Sequence, residues 1–219
     1  MYNHINGMNG INFLSSLLLE TNGTYKINNI YIDFKKKEHY PKIILEQKNP
    51  YLRAVDCFVT KSLENRVFRL ILLAPLHVFI HEMGHALAYK ILSKANEDIK
   101  ICIDSPYGVT FYPFHSKFDN GEKMIVDAAG PLLNIFFCTC QLVALRIFKN
   151  IIPTPISLIT RFGATMYIVG ELWYAQASAS GRVKGDFGNI AEISKNHLLI
   201  ANVALISQCI LGLLMALDN

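Results

Sequence analysis

His81-Glu82-Met83-Gly84-His85 reads H-E-x-x-H. Apolar runs flank it: Leu70-Ile71-Leu72-Leu73-Ala74-Pro75-Leu76 and Val78-Phe79-Ile80 before, Ala86-Leu87-Ala88-Tyr89 and Ile91-Leu92 after. Residues four apart share one face of an α-helix, so imidazoles at 81 and 85 can grip a single metal ion. Glu82 follows the first of them and reaches the place where a metal-bound water would lie. Zinc with two histidines needs a third protein ligand and an open fourth position to be catalytic. The metal lowers the pKa of its water and the carboxylate takes the proton, which is the chemistry of peptide-bond hydrolysis.

Three fixed positions in five residues also occur by chance, as a helix with two unrelated histidines. The flanks argue otherwise. From about Val67 to Leu92 the chain is apolar for the roughly 20 residues that a spanning helix needs. Ionisable groups at that depth are costly and mark function. His77, four before His81, shares its face and reads as a packing or supporting residue, because the third zinc ligand usually comes from elsewhere in the chain. Pro75 inside this run frees a backbone carbonyl and favours a kink.

Composition agrees with a membrane setting. Of the 219 residues, 52% are hydrophobic and 17% charged, against about 25% charged in soluble domains. Mean hydropathy is +0.27. The deficit of charge falls in the last two-thirds. The net charge is +4, and the basic run Lys35-Lys36-Lys37 reads as a solvated or membrane-surface patch, with no call for nucleic acid. Five cysteines, an odd number with no C-x-x-C pair, argue against a disulfide framework. The first lysine is Lys26, so the start lacks the positive region of a secretory signal. Ile11 to Leu19 is apolar but too short to span.

Further along, Asn-Gly pairs at 6–7, 9–10 and 22–23 signal turns. Tyr25-Lys26-Ile27 and Ile30-Tyr31-Ile32-Asp33-Phe34 alternate as short strands do, and Pro41 and Pro50 interrupt the stretch after them. Ile99 to Ile103 and Val109 to Tyr112 flank Asp104-Ser105-Pro106-Tyr107-Gly108, which predicts a β-hairpin. Such a hairpin either covers the core or offers a strand edge to an extended substrate. Further spans are predicted over about Met124 to Phe148, Ile156 to Ala177 and Leu198 to Leu217. Arg161 and Glu171 interrupt the middle one. Basic residues ahead of the first span favour a cytosolic N-terminus.

Three stretches now stand together. H-E-M-G-H lies in one predicted membrane helix, Ala128-Ala129-Gly130-Pro131-Leu132-Leu133-Asn134 opens the next, and Gly185-Asp186-Phe187-Gly188 precedes the last. In combination they resemble the site-2 protease family of intramembrane zinc metalloproteases, over about residues 67 to 217. The resemblance implies Zn2+ held by His81, His85 and an aspartate, with Glu82 as general base. It also implies a substrate drawn from transmembrane or membrane-tethered proteins, whose helix unwinds before cleavage. In the family that aspartate stands in an Asp-Gly pair behind an Asn-x-x-Pro stretch. Here Phe187 separates Asp186 from Gly188, and no Asn-x-x-Pro precedes it. Asp186 is carried over as third ligand, with a helix N-cap as its alternative role. Glu171, Asp127 and Glu192 stand in reserve, in that order. Asn134 either contacts substrate or forms an interhelical hydrogen bond.

The expected architecture is mainly α: a polytopic membrane helical bundle of about four spans with a small β-hairpin. Residues 1–66 form a peripheral region and 67–219 the membrane-embedded metalloprotease core. The expected partners are a membrane-protein substrate, the lipid bilayer and a regulatory membrane protein. Two rival readings are a non-catalytic membrane scaffold with the same fold and a soluble zincin-type metallopeptidase whose apolar runs are core helices.

Overall fold

The computed structural model describes residues 23–27, 30–34, 57, 61, 65, 74–93, 98–104, 107–112 and 118–217. The apolar patch at 11–19, the Asn-Gly turns, the lysines at 35–37, Pro41, Pro50, the turn at 105–106 and the start of the first predicted span, 67–73, lie outside them.

Among the described residues nine elements succeed one another: strands β1 (Gly23–Ile27) and β2 (Ile30–Phe34), helix α1 (Ala74–Ser93), strands β3 (Ile99–Asp104) and β4 (Tyr107–Phe111), then helices α2 (Asn120–Ile147), α3 (Thr154–Ala179), α4 (Asp186–Ile193) and α5 (Lys195–Leu217). The short strands expected from alternation form, and the expected hairpin of β3 and β4 is antiparallel; β1 and β2 form a second antiparallel pair. They also join each other. β2 pairs parallel with β3, giving one four-stranded sheet in the order β1-β2-β3-β4. The register explains why: Ile30, Ile32 and Phe34 stand opposite Ile99, Ile101 and Ile103, and all six are buried with Ala86 and Tyr89 of α1. A slip of one residue would turn this apolar face to the other side. That other face is polar: Lys100 Nζ meets Asp33 Oδ2 at 2.7 Å.

α2 is the central helix and touches the other four. Its start is well marked. The Asp119 side chain accepts from the Glu122 N–H at 2.8 Å and the Glu122 carboxylate accepts from the Asp119 N–H at 3.0 Å, a reciprocal cap. Gly84 of α1 faces Ala129 and Gly130 of α2, and a Cβ at residue 84 would strike the Ala129 carbonyl. The small residues in the two motifs thus let the helices meet backbone to backbone. α3 ends in a Schellman turn. Gly181, at φ 73°, takes the left-handed position, and the N–H groups of Gly181 and Arg182 reach the carbonyls of Ser178 and Ala177, each at 2.9 Å.

The expected count of four spans is corrected. Among the described residues two helices, α2 and α5, are long and apolar enough to cross a membrane. α1 is made less apolar by His77, His81, Glu82, His85 and Lys90, and α3 by Arg161 and Glu171. α5 turns a row of large apolar side chains outward, including Leu199, Val203, Ile206, Ile210 and Leu214.

Candidate metal centre

His77, His81 and His85 follow one face of α1, as the spacing requires. Their surroundings separate them. His81 Nε2 lies 3.1 Å from Asp186 Oδ2, and His85 Nε2 lies 3.4 Å from Asp186 Oδ1. The ligand atoms of these three residues fall within 4.8 Å of one another, and the group could hold a metal ion. His77 is elsewhere. Its ring stacks on Tyr167 with centroids 3.7 Å apart.

The outer nitrogens decide which atoms are available. His85 Nδ1 is 2.7 Å from the Val126 carbonyl oxygen. A carbonyl only accepts, so Nδ1 carries the hydrogen and Nε2 keeps its lone pair. His81 Nδ1 is 3.0 Å from Glu171 Oε1, and a carboxylate oxygen imposes the same tautomer. Two imidazole lone pairs and a carboxylate therefore converge, and all three are acceptors. A cation is what such a set is built to receive. Tetrahedral zinc with bonds of about 2.0–2.1 Å places neighbouring ligand atoms about 3.3 Å apart, close to both separations observed.

Asp186 reaches the histidines from the opening turn of α4. Gly185 occupies the cap position, with no side-chain cap bond, and Asp186 is the first helical residue. The N-cap role is thus not the one it takes. Its neighbours anchor the turn. Phe187 is fully buried. The Gly188 N–H donates to Ser178 Oγ at 2.7 Å, and a Cβ at Gly185 would collide with the Tyr174 hydroxyl. Gly185 and Gly188 therefore seat α4 against α3 and Phe187 lies in the core, while Asp186 faces the two histidines.

Glu82 is buried and points toward β4. The Thr110 hydroxyl donates to Glu82 Oε2 at 2.6 Å and also lies 3.2 Å from the Glu82 carbonyl. Gly108 makes room for the carboxylate, because a Cβ there would meet Glu82 Cγ and Oε1. The second hairpin thus holds the candidate base, a role for Thr110 and Gly108 that sequence reasoning missed. The signal available was weak: a threonine and a glycine on a strand predicted to lie near the site.

The remaining candidates separate cleanly. Glu171 contacts Nδ1 of His81, on the side of the ring away from Asp186. Asp127 is buried on α2 and hydrogen-bonded to Asn189, outside the metal group. Glu192 is exposed. Asn134 is 1% exposed, with Oδ1 2.8 Å from His77 Nδ1 and Nδ2 2.6 Å from Glu171 Oε1. Both ends of its amide are thus engaged within the protein.

No protein-family model, no curated protein and no solved structure matches this chain.

Proposed function

We propose that this chain is a membrane-embedded zinc endopeptidase acting on transmembrane or membrane-tethered proteins. One observation carries the reading: two imidazole lone pairs and the Asp186 carboxylate converge, and the buried Glu82 directly follows the first of those histidines on α1. Two nitrogens and one oxygen make a donor set that suits catalytic zinc. When bound, the metal supplies Lewis acidity and lowers the pKa of a water it holds. The rest of the chemistry belongs to the chain. Glu82 takes the proton of the attacking water as its oxygen bonds to the scissile carbonyl carbon. It then delivers that proton to the amide nitrogen as the C–N bond breaks. The Thr110 hydroxyl occupies Oε2 and leaves Oε1 for this transfer.

The outward apolar face of α5 supports a lipid setting, since soluble monomers rarely expose so continuous an apolar surface. His81, His85 and Glu171 on α1 and α3 are turned into the bundle and partnered there, as ionisable residues near lipid require. β4 packs over Glu82, so a substrate segment that has unwound into an extended form and lies against β4 comes within reach of the base.

The test uses the purified full chain in lipid vesicles with single-span peptides whose helix is broken by Gly-Pro and labelled with a quenched fluorophore. Zinc-dependent cleavage is expected, lost in Glu82→Gln while that variant keeps one zinc. Full cleavage by Glu82→Gln removes Glu82 as base. Wild-type chain that holds no zinc and is unaffected by His81→Ala supports the scaffold reading. Zinc-bound chain recovered in the aqueous fraction without detergent supports the soluble zincin.

A further inference from the structure

Three buried side chains and the half-buried His81, from three helices, form one directed chain of hydrogen bonds. His77 and His81 come from α1, Asn134 from α2 and Glu171 from α3. Chemistry fixes each direction. Glu171 Oε1 accepts from His81 Nδ1–H at 3.0 Å and from the Asn134 amide at 2.6 Å. With its NH2 committed to a carboxylate, Asn134 presents its oxygen to His77, whose Nδ1–H donates at 2.8 Å. Aspartate at 134 would set two carboxylates face to face, and leucine would leave Glu171 one donor short.

We propose that Glu171 is the positioning residue of the metal centre, holding His81 with its Nε2 lone pair toward Asp186, and that Asn134 and His77 hold Glu171. The proposal rests on the metal reading above and assigns Glu171 a role other than ligand. The two histidines are treated differently: a neutral backbone carbonyl orients His85, while a carboxylate orients His81. A carboxylate behind a ligating imidazole fixes the ring and raises its basicity. A carboxylate with no such task is a poor choice for this position. Removing it from water is costly, and an apolar residue would pack the three helices together without that cost. Asn134, with both amide ends occupied, supports this arrangement and does not contact substrate.

The test measures metal affinity and needs no substrate. The purified full chain, its Glu171→Gln and Glu171→Ala variants are titrated with zinc against a chromophoric chelator, then loaded with Co2+ for visible spectra. Glu171→Gln preserves shape and an acceptor oxygen but removes the charge. It is expected to weaken zinc binding by about tenfold and shift the cobalt bands, and Glu171→Ala by up to about a hundredfold. Glu171→Gln binding zinc within twofold of wild type, with a superimposable cobalt spectrum, overturns the proposal, whether or not Glu171→Ala folds. Wild-type chain that binds neither metal overturns the metal reading itself, a result distinct from failure of the Glu171 assignment.

Discussion

Gly130 on α2 lies flat against the imidazole of His85 on α1, and a Cβ at residue 130 would collide with the ring's Nε2, the atom that faces Asp186. The Gly-Pro step after Ala128-Ala129 therefore belongs to the candidate metal centre as well as to helix packing. Pro131, the next residue, has no N–H to offer the carbonyl of Asp127 four residues back. One position earlier the Val126 carbonyl orients the same histidine.

Gly130→Ala should therefore fold and lose its metal. Within a helix, alanine is favoured over glycine by about 0.5–1 kcal/mol, so the backbone does not resist the change. The His85 ring must move, and zinc per chain in the purified protein should fall well below one. Gly163→Ala is the comparison, because a Cβ there meets nothing within 4 Å. It should keep full zinc and melt at the same temperature or higher. Equal zinc content in both variants would contradict the assigned contact.

Thr110→Val tests how the base is held. Valine fills the space but removes the donor to Glu82 Oε2. A hydrogen bond to a charged group contributes about 1.5–3 kcal/mol. Peptide cleavage should drop by roughly tenfold to a hundredfold while zinc content stays at the wild-type level. Thr110→Ser should restore most of the rate. Unchanged turnover in Thr110→Val would show that Glu82 is positioned by other contacts.

A charge on the outer face of α5 tests the lipid setting. Ile206 lies near the middle of that helix and is exposed. Arginine at the centre of a spanning helix costs about 2.5–3.5 kcal/mol on insertion scales. Ile206→Arg should reduce the fraction of chain that resists alkaline extraction from membranes. On a soluble protein the same exposed substitution changes stability by less than about 0.5 kcal/mol. Full membrane retention or an aqueous wild-type protein would count against the spanning assignment.

Chelation should lower the melting temperature, because a ligand that binds only the folded chain stabilises it. Zinc at one hundred times its dissociation constant adds about 2.7 kcal/mol. Differential scanning fluorimetry of the full chain in detergent should show the fall with chelator and recovery with zinc. His81→Ala should melt at one temperature under both conditions. A zinc-dependent shift that persists in His81→Ala would place the ion elsewhere.

Much of the site was legible because its signals are local. The four-residue spacing of His81 and His85 needs only a helix, and the hairpin of β3 and β4 needs only alternation around a turn. Asp186 is reached by resemblance, despite the Phe187 that separates it from Gly188, and it faces both rings. Glu171 stands first among the reserve ligands. Being a carboxylate in an apolar run does not tell which nitrogen of a histidine it meets, and the structure puts it on Nδ1. The span count errs for a related reason. The polar groups that make the site lower the hydropathy of α1, and Arg161 and Glu171 lower that of α3, so two helices stand out where four were expected.

Residue order by itself determined that two imidazoles and a carboxylate share one turn of helix, and that short alternating segments become strands. Helical pitch and strand pleat dictate such relationships within a few residues of chain. Only the tertiary structure decided that β2 lies beside β3, that Thr110 holds Glu82, and that Asp186 and Glu171 take opposite sides of one ring. These partners are between 28 and 105 residues apart. What joins them is close packing, backbone against backbone at Gly84 and Ala129 and side chain against backbone at Gly130, together with the need of every buried polar group for a partner.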